Sequence, residues 1–333
     1  MAAIDEGLGP DELRLARQRV ARGARVTPLL PSDLLSGRVG QPIALKCENL
    51  QAGGAFKIRG ATNFVACVDA EARSRGLITY SSGNHAIAMS LAAKRAEVPA
   101  VVVMPTTTPA IKQDRVRDLG AEIHLCGTTS LERHARAREI AEQRSLTMVP
   151  PFDHPFIVAG QSTCGVEILE QMPEASAVLV PVGGGGLLAG IALACAYHKR
   201  GVKVIGVEPK GAAKMSASLA ARAPVTLPSV GSIADGLLPS RPGDLTFAVA
   251  QRYVHEVVTV DEDAIADAAR RLLFDERLLV EWSGAVGVAA LLSGAVRLAG
   301  PAAVVLSGGN VDPARLLEPR PQLQLDARTV PPV

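Results

Sequence analysis

Between residues 175 and 197 the chain carries no charged side chain, and this stretch limits the fold more than any other. As a single helix it would be long enough to cross a bilayer. Pro181 and four successive glycines, Gly183 to Gly186, stand in its middle and break such a helix. What remains is a short apolar strand, a glycine loop and an apolar helix. A strand apolar on consecutive residues needs cover on both faces, the environment of a parallel sheet between helix layers.

The same pattern recurs along the chain. Apolar or β-branched runs at 43–46, 77–80, 100–104, 122–125, 177–180, 203–207 and 303–306 read as strands. Helical spacing at 86–94, 110–119, 131–143, 187–196 and 264–274 fills the intervals. This alternation predicts an α/β fold with a mainly parallel sheet. With 333 residues and 48% hydrophobic content, the chain has material for one or two domains. From about residue 312 it is rich in Pro, Arg and Leu without periodicity, which predicts a loose tail.

Composition excludes several partners. Lys and Arg number 35 against 33 Asp and Glu, and aromatic residues make up 3%, so neither a basic nor a base-stacking surface for nucleic acid is expected. Cys47, Cys67, Cys126, Cys164 and Cys195 are scattered, odd in number and without a CxxC pair. They read as reduced thiols of a cytoplasmic protein. Asp5, Glu6, Asp11 and Glu12 occupy an N-terminus without an apolar run, so no signal peptide and no membrane attachment are expected.

In open α/β sheets ligands gather beyond the carboxyl ends of strands. Three loops in such places carry chemistry. Gly183-Gly184-Gly185-Gly186 lets backbone N–H groups converge at a helix start, which suits a phosphate. It also reads as a dinucleotide fingerprint, Gly184-x-Gly186-x-x-Ala189 with Glu208 after the next strand, or as a tight turn without a ligand. Ser81-Ser82-Gly83-Asn84-His85 suits a carboxylate pocket, and equally a set of helix caps. Lys57, within Ala55-Phe56-Lys57-Ile58-Arg59-Gly60, suits a Schiff-base lysine, although a lone lysine is more often solvated.

Taken together the motifs resolve these choices. Thr27-Pro28-Leu29, Glu48-Asn49-Leu50-Gln51, Phe56-Lys57-Ile58-Arg59-Gly60, Ser81-Ser82-Gly83-Asn84-His85, Ala159-Gly160-Gln161, the four glycines, Gly206-Val207-Glu208-Pro209, Ile233-Ala234-Asp235-Gly236 and Ser307-Gly308-Gly309-Asn310 follow one another in this order. The chain thereby resembles the fold-type II, tryptophan synthase β-like family of pyridoxal-phosphate enzymes, and within it the threonine/serine dehydratase and serine racemase group. The resemblance runs from about residue 15 to about residue 315.

The resemblance implies two open, twisted, mainly parallel sheets flanked by helices. A large cofactor-binding domain would hold 1–66 and 154–320, a small mobile domain 74–153, and a tail 321–333. It implies pyridoxal 5'-phosphate as cofactor, a small amino acid as substrate and a homodimer. Lys57 would form the Schiff base, Phe56 pack on the ring, Asn84 bond the ring hydroxyl, Gly183, Gly184, Gly185 and Gly186 cradle the phosphate, and Ser307 face the pyridine nitrogen. A serine there cannot hold that nitrogen protonated as an aspartate would, which favours elimination over transamination. Ser81, Ser82, Gly83, Asn84 and His85 would receive the substrate carboxylate. The implied reaction is β-elimination of water from L-threonine or L-serine, with Lys57 as base, followed by hydrolysis to a 2-oxo acid and ammonia. Racemisation is the alternative, with Ser82 as second acid–base group and Arg133 matching a racemase arginine. Arg133 also reads as one of several charges on a solvated helix face. A hydroxyaspartate-type dehydratase and a non-catalytic cofactor binder complete the range.

Three departures from the family stand out. Racemases of the family hold a divalent cation through an acid, a carbonyl four residues on and an acid six residues on. Here Glu208 and Ala212 match but the third position is Lys214, so no metal is expected. Lys214 either replaces the cation by pairing with Glu208 or points to solvent. Ser162 stands where the family has glycine, and with the bulky Tyr80 it is expected to reshape the substrate pocket. The chain ends soon after the SGGN loop, so no regulatory domain and no feedback control by isoleucine are expected.

Overall fold

The computed structural model describes residues 7–81, 83–108, 110–199, 201–318 and 324–325. Its strands form two main sheets. The larger contains β1 (Leu29–Pro31), β2 (Ile43–Lys46), β7 (Ala177–Pro181), β8 (Lys203–Pro209), β10 (Glu256–Val260) and β11 (Ala302–Val305). Its order is β1-β2-β11-β7-β8-β10, parallel throughout except for β1 against β2. The smaller contains β3 (Leu77–Tyr80), β4 (Ala100–Met104), β5 (Glu122–Leu125) and β6 (Thr147–Met148), all parallel in the order β5-β4-β3-β6.

Both sheets are covered on both faces, as the unbroken apolar runs require. Leu45, Leu179, Ile205 and Val304 pack on one face of the larger sheet, while Ala44, Val178, Val180, Val204 and Val305 pack on the other. In the smaller sheet Leu77, Val102 and Met104 face one core, and Ile78, Val101 and Val103 the other. Val178, Leu179 and Val180 are completely buried. Burying side chains of this size stabilises by roughly 1.5–3 kcal/mol each. Four glycines in the following loop cost roughly 0.5–1 kcal/mol each in chain entropy relative to alanine. The strand therefore outweighs its loop.

The stretch 175–197 forms strand β7, the glycine loop and helix Gly186–His198. Among the described residues, no helix is long and apolar enough to cross a membrane. The expected strands at 43–46, 77–80, 100–104 and 122–125 match to the residue. Helices Pro155–Gln171 and Trp282–Leu292 have no counterpart in the sequence reading. Each is buried almost all round, from Ile157 to Leu169 and from Trp282 to Leu291, so neither has the polar face that creates a 3.6-residue period. β10 is a further strand beyond the expected set, formed by the β-branched run Glu-Val-Val-Thr-Val. In the expected tail, β12 (Gln324–Leu325) pairs with β9 (Gly231–Ser232). The rest of 319–333 lies outside the described residues.

Glycines set the close helix contacts behind the site. A Cβ on Gly160 would stand 2.6 Å from the Arg59 carbonyl, so only glycine lets helix Pro155–Gln171 meet helix Lys57–Cys67 at this depth. Ile58, Ala61, Phe64 and Val65 of that second helix belong to the apolar core of the smaller sheet.

Candidate active site

β2, β11, β7 and β8 lie side by side and parallel, so the loops after them open along one edge. They deliver, in that spatial order, the Lys57 segment, Ser307 to Asn310, the glycine loop, and the Glu208–Lys214 segment. Strand order thus gathers motifs far apart in sequence.

Lys57 begins helix Lys57–Cys67. The chain before it is laced to the Ser307 loop. Phe56 N–H donates to the Ser307 carbonyl at 3.0 Å, Ala55 bridges Gly308, and Gly309 N–H donates to the Gly54 carbonyl at 2.9 Å. Lys57 Nζ lies 5.2 Å from the centre of the Phe56 ring and donates to the Pro151 carbonyl at 2.7 Å. Burial lowers its pKa to about 8, so a useful fraction is a neutral amine near neutral pH.

Two residues further along, Arg59 anchors this helix in a buried ionic cluster. Its guanidinium donates to Glu48 at 2.7 Å and to Glu167 at 2.6 Å, and Lys46 Nζ donates to Glu167 at 2.6 Å. Thr27 donates to Glu48 as well. Burial raises the Glu48 carboxyl, but the Arg59 charge and its hydrogen bonds hold it below the usual carboxylate range.

The glycine loop is shaped so that side chains cannot enter it. A Cβ at Gly183 would stand 2.9 Å from the Gly236 carbonyl, and one at Gly184 would collide with the Phe152 ring. Gly185 has φ +98°, and a Cβ there would meet Thr246 Oγ1 at 2.8 Å. Gly185 caps helix Gly186–His198 without a side-chain hydrogen bond, so no side chain competes for the first backbone N–H groups of that helix. Thr246 Oγ1 donates to the Gly184 carbonyl at 2.7 Å, and Asp153 accepts from the Thr246 N–H at 3.1 Å. Lys57 reaches this loop through neighbouring residues, since Pro151 accepts from its amine and Phe152 packs on Gly184.

Across from the lysine, the loop after β3 leads into helix Asn84–Arg95. Gly83 N–H donates to Ser81 Oγ at 3.3 Å, and a Cβ on Gly83 would meet nothing within 4 Å. Asn84 turns away from its own loop. Its amide donates to Glu281 Oε1 at 2.7 Å and accepts from Asn310 Nδ2 at 2.8 Å. Glu281 N–H donates to the Gly308 carbonyl at 3.0 Å, which closes the ring of contacts. Burial, assisted by the Asp235 charge, raises Glu281 to about 7. The His85 side chain points inward with Nε2 3.3 Å from the Val149 carbonyl, and burial together with the Lys57 charge lowers it to about 3. It is therefore a neutral structural group, and only its backbone can serve a carboxylate. Ser82 lies outside the described residues.

Glu281, Asn310, Pro151 and Phe152 hold the site together, yet the sequence reading gave none of them a role. The only available signal for Glu281 was an acid within the apolar run Leu278 to Trp282.

Lys214 is completely buried, not solvated. Its Nζ donates to the carbonyls of Val182 at 2.7 Å, Ala212 at 3.0 Å and Leu237 at 3.0 Å, and pairs with Glu208 Oε1 at 3.1 Å. Burial pulls its pKa down and Glu208 pulls it back. Four acceptors around one nitrogen call for an ammonium, which has three N–H groups and no lone pair. A metal ion cannot share this position, so these residues do not fit a resident cation.

A sequence profile of pyridoxal-phosphate dependent enzymes matches residues 20–308. The chain belongs to that family. It is 44% identical over 298 residues to an L-threonine ammonia-lyase of Geobacter sulfurreducens, covering 89% of this chain and 74% of that one. Maize serine racemase superposes with a TM-score of 0.90 at 37% identity, covering 93% of this chain and 96% of the other. Processed threonine deaminase isoform 2 of Solanum lycopersicum gives 0.87 at 38% identity, with 92% of both chains covered. The protein is thus a pyridoxal-phosphate enzyme of the tryptophan synthase β-like fold. The residues present fit that cofactor, since a cradle that excludes side chains suits its phosphate and a lysine lowered to about 8 suits its aldehyde.

One expectation is corrected. Ser162 does not reach a substrate pocket, because its buried hydroxyl donates back to the Ala159 carbonyl of its own helix at 2.6 Å. Tyr80 does stand at the end of β3 beside the Ser81 loop, its ring 4.9 Å from that of His134. Arg133 donates to the Thr128 carbonyl at 3.2 Å, and its charge opposes the burial that raises the Tyr80 phenol. Arg136 and Arg138 instead pair along their own helix with Glu139 and Glu142.

Proposed function

We propose that the enzyme eliminates water from a small β-hydroxy amino acid, L-threonine or L-serine, and that water then hydrolyses the released enamine to a 2-oxo acid and ammonia. The observation that carries this reading is the Lys57 amine, lowered to about 8 and fixed between the glycine loop and the Ser307 segment. Lys57 is the attachment point and, as a neutral amine, the base that takes the substrate Cα proton. Pyridoxal phosphate, when bound, supplies the sink for the electron pair left at Cα.

Gly183 to Gly186 would hold the phosphate through backbone N–H groups, Phe56 would cover the ring and Ser307 would meet the pyridine nitrogen. Asn84 keeps one N–H beyond the bond to Glu281, available to the ring hydroxyl. The backbone of residues 81–85 takes the substrate carboxylate. Residues 74–153 form the half that closes over the substrate, against 1–66 and 154–320. The likeness to threonine ammonia-lyases at 44% and 41% identity supports elimination.

A second reading, racemisation, draws support from the likeness to serine racemases, maize included. It needs a second proton carrier on the opposite side of the substrate, for which Ser82 is the candidate. A panel of D- and L-β-hydroxy amino acids separates the two. Release of 2-oxo acid from L-threonine or L-serine without build-up of the enantiomer supports elimination. Enantiomer without oxo acid establishes racemisation instead.

A further inference from the structure

Behind the glycine loop, four oxygens from three separate segments converge on one point. Val182 directly precedes the first glycine, Ala212 lies in the turn Lys210–Ala212, Leu237 ends the turn Asp235–Leu237, and Glu208 comes from β8. The Lys214 ammonium stands among them at 2.7–3.1 Å. The Glu208 carboxylate is otherwise saturated, accepting from Met215 N–H, Ser216 N–H and Ser216 Oγ, each at 2.9 Å. Three neutral carbonyls and one carboxylate balance a single positive charge.

We propose that this cage is a monovalent-cation site whose occupant is the chain's own Lys214, and that the tethered ammonium frees cofactor binding from any dissolved cation. The distances match N–H···O bonds and exceed the 2.0–2.1 Å of magnesium and the 2.3–2.6 Å of calcium. Removal of the ammonium leaves an oxygen cage that takes potassium or a small alkylammonium. The cage ties Val182, the root of the phosphate loop, to Leu237. The neighbouring Gly236 carbonyl lies 2.9 Å from where a Gly183 Cβ would stand, so this turn helps to shape the cradle. An empty cage therefore loosens the grip on the cofactor phosphate. The inference does not depend on which amino acid the enzyme converts.

The test measures cofactor affinity and melting temperature of the holoenzyme and two variants, with choline chloride holding ionic strength constant. Affinity and melting temperature of the native chain stay within twofold and 1–2 °C, roughly, on exhaustive chelation or on addition of potassium or magnesium. Lys214→Ala loses about tenfold or more in cofactor affinity in choline, and potassium or n-propylammonium chloride restores it. Lys214→Met fills the cage with an uncharged chain, shows a comparable loss and gains nothing from either cation.

A native chain that loses its cofactor on chelation overturns the proposal. So does a Lys214→Met variant that binds cofactor like the native chain, which would make the role one of packing. Lys214→Ala that stays impaired or unfolded with every cation, or that recovers with magnesium and not with potassium, overturns it too. Lys214→Ala that folds only when potassium or n-propylammonium is present supports it.

Discussion

Asn84 donates to Glu281 across 197 residues of sequence, joining the helix that follows β3 of the smaller sheet to the N-cap of helix Trp282–Leu292 beside the larger one. Glu281 is raised to about 7 from an ordinary carboxyl near 4.5. Between those values the folded chain binds more protons than the unfolded chain, so stability falls as pH rises through that window. The fall is at most on the order of 3 kcal/mol. Glu281→Gln stays neutral and should flatten the dependence of melting temperature on pH between about 4.5 and 7. A slope unchanged by the substitution would contradict this assignment.

Lys57 is depressed to about 8, so its amine is protonated below that value and free above it. Capture of pyridoxal phosphate by the stripped protein should quicken about tenfold per pH unit up to about pH 8 and then level off. Stopped-flow absorbance reads this directly. A rate still climbing between pH 9 and 10 would show an amine without the depression.

The glycine cradle predicts steric losses. At Gly185 an alanine combines φ +98° with a 2.8 Å approach to Thr246 Oγ1. Strain of this kind costs about 1–3 kcal/mol. Gly185→Ala should weaken cofactor binding about tenfold or more, read by fluorescence titration, while Gly37→Ala, inside helix Asp33–Val39 where a Cβ meets nothing within 4 Å, should leave affinity unchanged.

Arg59 is completely buried between Glu48 and Glu167. Removing one partner of a buried ion pair costs about 3–5 kcal/mol because the other charge remains. Arg59→Ala should lose about that much in denaturant unfolding. Since Arg59 fixes the helix that Lys57 begins, the variant should also retain cofactor poorly under conditions where it is folded.

Ser162→Gly should leave substrate preference unchanged, because the hydroxyl is spent on the Ala159 carbonyl inside the core. Relative kcat/KM for serine and threonine reads this. A changed ratio would place Ser162 near the substrate after all.

The strands were legible because buried parallel strands are apolar without interruption, as in Ala100–Met104. The site was legible wherever chemistry depends on a residue type, as for Lys57 and the four glycines. It was illegible where chemistry depends on backbone atoms or on the fold bringing distant residues together. The Lys214 cage uses the carbonyls of Val182, Ala212 and Leu237, and no side-chain pattern encodes a carbonyl. Glu281 gains its meaning only from Asn84 and Gly308. Ser162 looked significant as a departure from a motif, yet a helix absorbs a serine hydroxyl by bonding it one turn back.

The most direct test of the account is borohydride reduction of the purified holoenzyme followed by peptide mapping. The expected result is one modified peptide, with the reduced cofactor on Lys57, and loss of 2-oxo acid release in step with the labelling. Label on Lys46, Lys214 or another lysine, or no covalently retained cofactor, would contradict it.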